Sequence, residues 1–177
     1  VGSGFGGGVA ALRHAEAGKG VGDAWCWRGS PADLGAHPLI EWFDSQGGRH
    51  ARIDPYSFAP SIGAPELHLL GEGTHVNLWR TLGAEPLTLD GVAGTRFAVW
   101  APNAERVSVM GDFNDWDSDR DPLHRRDNSG IWEGFVAGVR PGHLYKYRIH
   151  SRADGYQVEK ADPYGFAMQL RPANCSV

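Results

Sequence analysis

Between residues 94 and 164, short runs of alternating apolar and polar residues are broken by Gly, Pro, Asn and Asp. Alternation with a period of two marks half-buried strands, and turn formers at short intervals mark antiparallel connections. The pattern predicts an all-β fold, a β-sandwich. Phe97 and Val99 fall on one face of a strand, and Val107 and Val109 face inward on the next. Residues 111–121 read as a long polar loop carrying Phe113, Asn114 and Trp116. Residues 128–130 turn into a strand over 131–136. Arg140-Pro141-Gly142-His143 has the residue order of a type II turn. In the strand that follows, over 144–149, Tyr145, Tyr147 and Ile149 share one face, and Lys146 and Arg148 share the other. Asp154-Gly155 predicts the last hairpin.

Upstream, residues 39–43 and 49–53 predict a hairpin closed by Gln46-Gly47-Gly48. Asp54-Pro55-Tyr56-Ser57-Phe58-Ala59 then matches Asp162-Pro163-Tyr164-Gly165-Phe166-Ala167 as Asp-Pro-Tyr-x-Phe-Ala, each after a hairpin. We read this as an internal duplication. Residues 39–64 supply only the closing strands of a first, incomplete sandwich, so the chain reads as cut or altered on its N-terminal side. Residues 65–93 are a connector, with a helical turn over 66–70 ended by Gly71-Glu72-Gly73 and a turn-rich segment up to Gly94. Residues 94–177 are the complete sandwich and an exit segment. Residues 1–38 are Gly- and Ala-rich at their start, with a short helix over 10–17 and otherwise little order.

Composition narrows the function classes. A net charge of −4 gives no general reason to expect nucleic acid or an acidic membrane as partner. Apolar runs are too short to span a bilayer. Two cysteines are too few for a disulfide scaffold, which points to the cytoplasm. The seven tryptophans are the informative excess, since Trp serves binding faces as well as cores.

Trp116 lies in a loop rich in Asp and Asn, and three uses stay open: capping the core, supporting the loop, or offering a flat apolar face to a ligand such as a sugar. Strand alternation turns Lys146 away from the core, toward solvent or ligand. Tyr156, after the last hairpin, is a second platform or a cover for the core edge. Trp100 and Trp132 sit in strands and are expected to pack. The aspartates over 112–121 lack EF-hand spacing and read as a solvated loop. The histidines lack metal-site spacing, and there is no nucleophile elbow or phosphate loop. No catalytic residue, metal or cofactor is assigned.

Phe97-Ala98-Val99-Trp100-Ala101-Pro102-Asn103-Ala104, Val107-Ser108-Val109 and Gly111-Asp112-Phe113-Asn114-Asp115-Trp116 resemble a family 48 carbohydrate-binding module. Leu69-Leu70-Gly71-Glu72-Gly73-Thr74-His75, Gly130-Ile131-Trp132-Glu133 and Leu144-Tyr145-Lys146-Tyr147 extend the resemblance, over residues 39–177, to the N-terminal part of bacterial 1,4-α-glucan (glycogen) branching enzymes. It implies an immunoglobulin-like sandwich that binds glycogen or linear α-1,4-glucan. It also implies a parent of glycoside hydrolase family 13 whose catalytic barrel, the module's partner, begins after residue 177. Trp116, Lys146, Asn114 and Tyr156 match the family's carbohydrate-binding positions. A module of a debranching enzyme, or an interaction module without sugar affinity, is the alternative. The segment 69–75 favours branching.

Overall fold

The structure, a computed structural model, describes residues 9–11, 35–43, 47–153 and 155–177. Contacts divide the chain into two units, Val1–Ala59 and Pro60–Val177. In the first, β1 (Val9–Ala11) pairs in parallel with β2 (Leu39–Phe43), which pairs antiparallel with β3 (Arg49–Ile53). The predicted hairpin is therefore present. Ala10 and Ala11 are strand rather than helix; the rest of the helix expected over 10–17, and the weak order expected over most of 1–38, fall outside the described residues. A 3₁₀ turn, Pro55–Ser57, follows β3. The Asp54 carboxylate accepts the Tyr56 N–H at 2.9 Å there.

The second unit opens with helix α1 (Ala64–Glu72), longer than the single turn expected. Pro65 near its start fits the helix without losing a bond, because the first N–H groups have no partner there. The helix runs through Gly71 and stops at Gly73, whose φ of 73° is the left-handed cap that glycine adopts freely. A short helix α2 (Leu78–Thr81) leads into β4 (Gly83–Leu89). The sequence reads β4 as turns because it contains Gly83 and Pro86. Pro86 is accommodated because β4 is an edge strand. Six more strands follow: β5 (Val92–Trp100), β6 (Ala104–Gly111), β7 (Asp121–Arg126), β8 (Ile131–Ala137), β9 (Tyr145–Ser151) and β10 (Gln157–Lys160).

All seven strands form one antiparallel band in the order β10-β9-β6-β7-β8-β5-β4. The band doubles over at β7. Residues 121–123 of β7 pair with β6, and residues 124–126 pair with β8. Asp-Pro-Leu-His-Arg-Arg carries no alternating signature, so the sequence leaves β7 unmarked. Between the two layers lie Phe97, Val99, Val107, Val109, Leu123, Trp132, Tyr145 and Tyr147, as alternation requires. The opposite face of β5 and β8 is also covered: Ala98 and Ile131 pack with Ile62 and Leu82, flanked by Leu67, Leu70, Leu78 and Tyr164. The connector is thus part of the folded unit. Glu133 ties down the residues just ahead of the connector, accepting the backbone N–H of Ser61 at 2.6 Å and of Ile62 at 3.0 Å while pairing with Arg126.

Trp132 is buried and donates its indole N–H to the Ala101 carbonyl at 3.0 Å. Trp100 departs from the packing expected of it, with 62% exposure. It ends β5 on the connector-covered face, where it borders an open groove with Leu70, Leu78, Leu82 and Tyr164. Among the described residues no helix is long and apolar enough to cross a membrane.

Candidate binding face

Strands β6 and β9 create one end of the face. Gly111 pairs with Tyr145, and Met110 with Lys146. The loop after β6 therefore leaves the sheet at the point where β9 enters it. Asn114 shapes this loop from within. Its side-chain carbonyl accepts the Gly111 N–H at 2.9 Å, and its amide nitrogen donates to the Val109 carbonyl at 3.1 Å and to Asp121 at 2.7 Å. Only 4% exposed, Asn114 supports the loop rather than offering its own amide to a sugar. Asp112 closes the base by accepting the Leu144 N–H at 3.2 Å.

Above this support, Asp115 and Trp116 both have φ of 59°. That left-handed conformation costs a residue with a side chain about 1–3 kcal/mol and persists only where the surroundings enforce it. Here the Trp116 N–H is bound to the Gly111 carbonyl at 2.9 Å, and the Asp117 N–H to the Asn114 carbonyl at 3.1 Å. The indole is half-buried. The loop aspartates mostly meet arginines: Asp115 and Asp117 lie 2.9 and 3.7 Å from Arg120, and Asp119 lies 3.4 Å from Arg106. Among the described residues, no three His, Cys, Asp or Glu side chains are grouped to hold a metal ion.

Lys146 lies on the outer face of β9, half-buried beside Met110. Farther along that face, Arg148 donates to Glu159 at 2.9 Å and to Gln157 at 2.8 Å. His150 comes next. Burial, then the nearby guanidinium groups of Arg106 and Arg148, hold its pKa below the usual histidine value. Tyr156 is 62% exposed, and its carbonyl accepts the Ser151 N–H at 2.8 Å. Ser151 lies beyond Lys146 by a strand length of about 17 Å. The backbone pairing thus puts the Trp116 loop and Lys146 at one end of β9, with Asn114 buried inside the loop, while Tyr156 lies at the other end. Gln157 and Arg148 occupy the space between. Alternation already put Arg148 on the face of Lys146, whereas only the β9–β10 register brings Gln157 there.

At this end of β9 a half-buried indole stands on a hydrogen-bonded loop, and Lys146 lies one residue along β9 from the Gly111–Tyr145 pair at which that loop leaves the sheet. The family description of carbohydrate-binding module 48 (isoamylase N-terminal domain) matches residues 81–165, which include β4 to β10 and the Asp162 turn. Those residues belong to carbohydrate-binding module family 48. Beyond the module, the chain is 46% identical over 155 residues to the 1,4-alpha-glucan branching enzyme of Cellvibrio japonicus, covering 88% of this chain and 21% of that enzyme. It is 52% identical over 144 residues to the branching enzyme of Thiobacillus denitrificans, covering 81% and 19%. The chain thus spans about a fifth of the length of these relatives. A solved pullulanase from Bacillus acidopullulyticus is 25% identical, with a TM-score of 0.42 over 54% of this chain and 11% of its own.

Proposed function

We propose that the module binds linear α-1,4-glucan, glycogen included, at the end of β9 where Trp116 and Lys146 emerge. We further propose that it serves a cytoplasmic branching enzyme, whose catalytic barrel cuts an α-1,4 linkage and rejoins the chain end as an α-1,6 branch. The observation that carries the reading is the strained backbone at Asp115 and Trp116. Backbone strain persists where a fold over-determines it, and a site that aims an aromatic ring is such a place. Stacking one sugar ring removes apolar area worth on the order of 1–2 kcal/mol after ordering costs. A hydrogen bond from the Lys146 ammonium adds about 1 kcal/mol. Such a face binds weakly, with Kd roughly high-micromolar to millimolar, and gains apparent affinity on a particle with many chain ends. Asn114 contributes by fixing the loop. Tyr156, a strand length away, contacts only a glucan long enough to run along β9.

Affinity electrophoresis in glycogen tests this. Trp116→Ala and Lys146→Ala are expected to keep the melting temperature and to lose retardation. Wild-type migration by both folded variants would refute the face. Retention of a debranching substrate in preference to linear glucan would favour the debranching alternative.

A further inference from the structure

Trp100 ends β5 on the layer opposite the Trp116 face, and its indole is seated against Gly130. A Cβ on Gly130 would lie 3.1 Å from the indole nitrogen of Trp100 and 2.9 Å from Pro102. The groove that Trp100 borders holds about 520 Å³, within the roughly 300–1,000 Å³ of small-molecule sites. Leu70, Leu78 and Leu82 give it apolar walls, Ser129 and Tyr164 give it polar ones, and no charged side chain lines it. The Ser129 hydroxyl is engaged, donating to the Arg126 carbonyl at 2.6 Å and accepting the Ile131 N–H at 3.1 Å. Two other polar groups are not. Among the described residues, neither the Trp100 indole N–H nor the Tyr164 hydroxyl has a hydrogen-bond partner, and that hydroxyl is not buried. Trp132 and Tyr145 satisfy the same groups inside the fold, with the Ala101 carbonyl at 3.0 Å and Asp162 at 2.8 Å.

We infer that this groove is a second α-glucan site, in which a glucose ring lies on Trp100 and its hydroxyls meet the indole N–H and the Tyr164 hydroxyl. A charged ligand finds no counter-charge among the lining residues. An apolar ligand would strip water from the two free polar groups and replace none of those bonds. A sugar meets both demands, since its C–H face covers the indole and the leucines while its rim supplies donors and acceptors. The choice of α-glucan among neutral sugars rests on the reading above. The two sites are separate. Trp116 follows the end of β6 at Gly111, whereas Trp100 precedes its start at Ala104, about 23 Å of strand away. They also lie on opposite layers of the sandwich, so the same glucose units cannot fill both. A module with two such sites holds two glucan chains at once and gains apparent affinity on a branched particle.

The test is a titration of this chain with maltoheptaose, followed in nitrogen-edited NMR spectra. The groove is read from the Trp100 indole and Ser129 amide signals, and the other face from the Trp116 indole signal. All three are expected to move. In Trp116→Ala the two groove signals should move as in wild type. Trp100→Ala should weaken the Ser129 response about tenfold while the Trp116 response stays unchanged. Tyr164→Phe, which keeps the ring and removes only the hydroxyl, should weaken it in the same direction and decides the matter if Trp100→Ala lowers the melting temperature. Groove signals that stay still while Trp116 responds, or that respond only when Trp116 is present, would overturn the inference and leave the first face standing. An equal response to the β-linked cellohexaose would overturn the α-glucan assignment. If the groove responds and Trp116 does not, the groove stands and the earlier reading of the Trp116 face fails.

Discussion

At the scale of single residues, buried polar groups do more to define the site than the exposed ones. Asn114 uses its amide for three interior bonds, so Asn114→Ala leaves Asp121 and the Gly111 N–H without that partner. The expected loss is about 2–3 kcal/mol in urea unfolding, accompanied by reduced glycogen retention although the indole is still present. Asp162 is a second case. Burial raises its pKa above the usual 3.8, and this outweighs the lowering by the Tyr164 N–H and the two tyrosine hydroxyls. The folded state therefore holds the proton more tightly than the unfolded chain does. The group's contribution to stability is greatest below the unfolded pKa and is lost as pH rises through the folded one. Asp162→Asn should flatten this part of the pH profile, so unfolding of both proteins in urea between pH 3 and 7 should show wild type gaining on the variant as pH falls. The same burial, helped by the Asp162 charge, pushes the Tyr145 and Tyr147 hydroxyls well above 10. Ultraviolet titration should accordingly find two of the five tyrosines ionising only as the protein unfolds.

At the scale of elements, strands with clean alternation were legible and strands without it were not. Tyr145, Tyr147 and Ile149 against Lys146 and Arg148 gave β9 with its faces assigned, and Phe97 with Val99 did so for β5. Strands β4 and β7 stayed hidden, because one contains Gly83 and Pro86 and the other divides its pairing between layers. The candidate site was legible as residue types, Trp116 and Lys146. Its geometry was not, because the depth of Asn114 and the distance of Tyr156 depend on pairing register. Close packing between strands gives another test. A Cβ on Gly94 would lie 2.4 Å from the Val136 carbonyl oxygen and 2.5 Å from the Phe135 ring. Gly94→Ala should cost about 1–3 kcal/mol or more, measured by thermal unfolding.

For the whole molecule, the two Asp-Pro-Tyr segments provide a check on the repeat suggested by sequence. In both, the aspartate accepts the N–H of the tyrosine two residues on, at 2.9 Å for Asp54 and 2.8 Å for Asp162. In both, the aspartate carbonyl accepts the N–H three residues on. We propose that Val1–Ala59 and Pro60–Val177 carry two versions of one closing device, consistent with a duplication. The tyrosine hydroxyls that bind Asp162 come from β9. Counting back through the strand pairings from Asp54 reaches Pro38 and Ile40, neither of which has a hydroxyl. The second unit should accordingly be the more stable, with amide exchange slowest in β5, β6, β8 and β9. Faster exchange there than in β2 and β3 would contradict this.

The doubling of the band at β7 also bears on solubility. Two separate sheets would have four whole strands at their edges, whereas one folded band has two, β4 and β10. Both are blunted. Pro86 interrupts the donor row of β4, and the four-residue β10 carries the exposed Glu159 and Lys160. Edges treated in this way resist pairing with other chains. Glu159→Val/Lys160→Val should therefore raise light scattering on prolonged incubation while the folded sandwich persists.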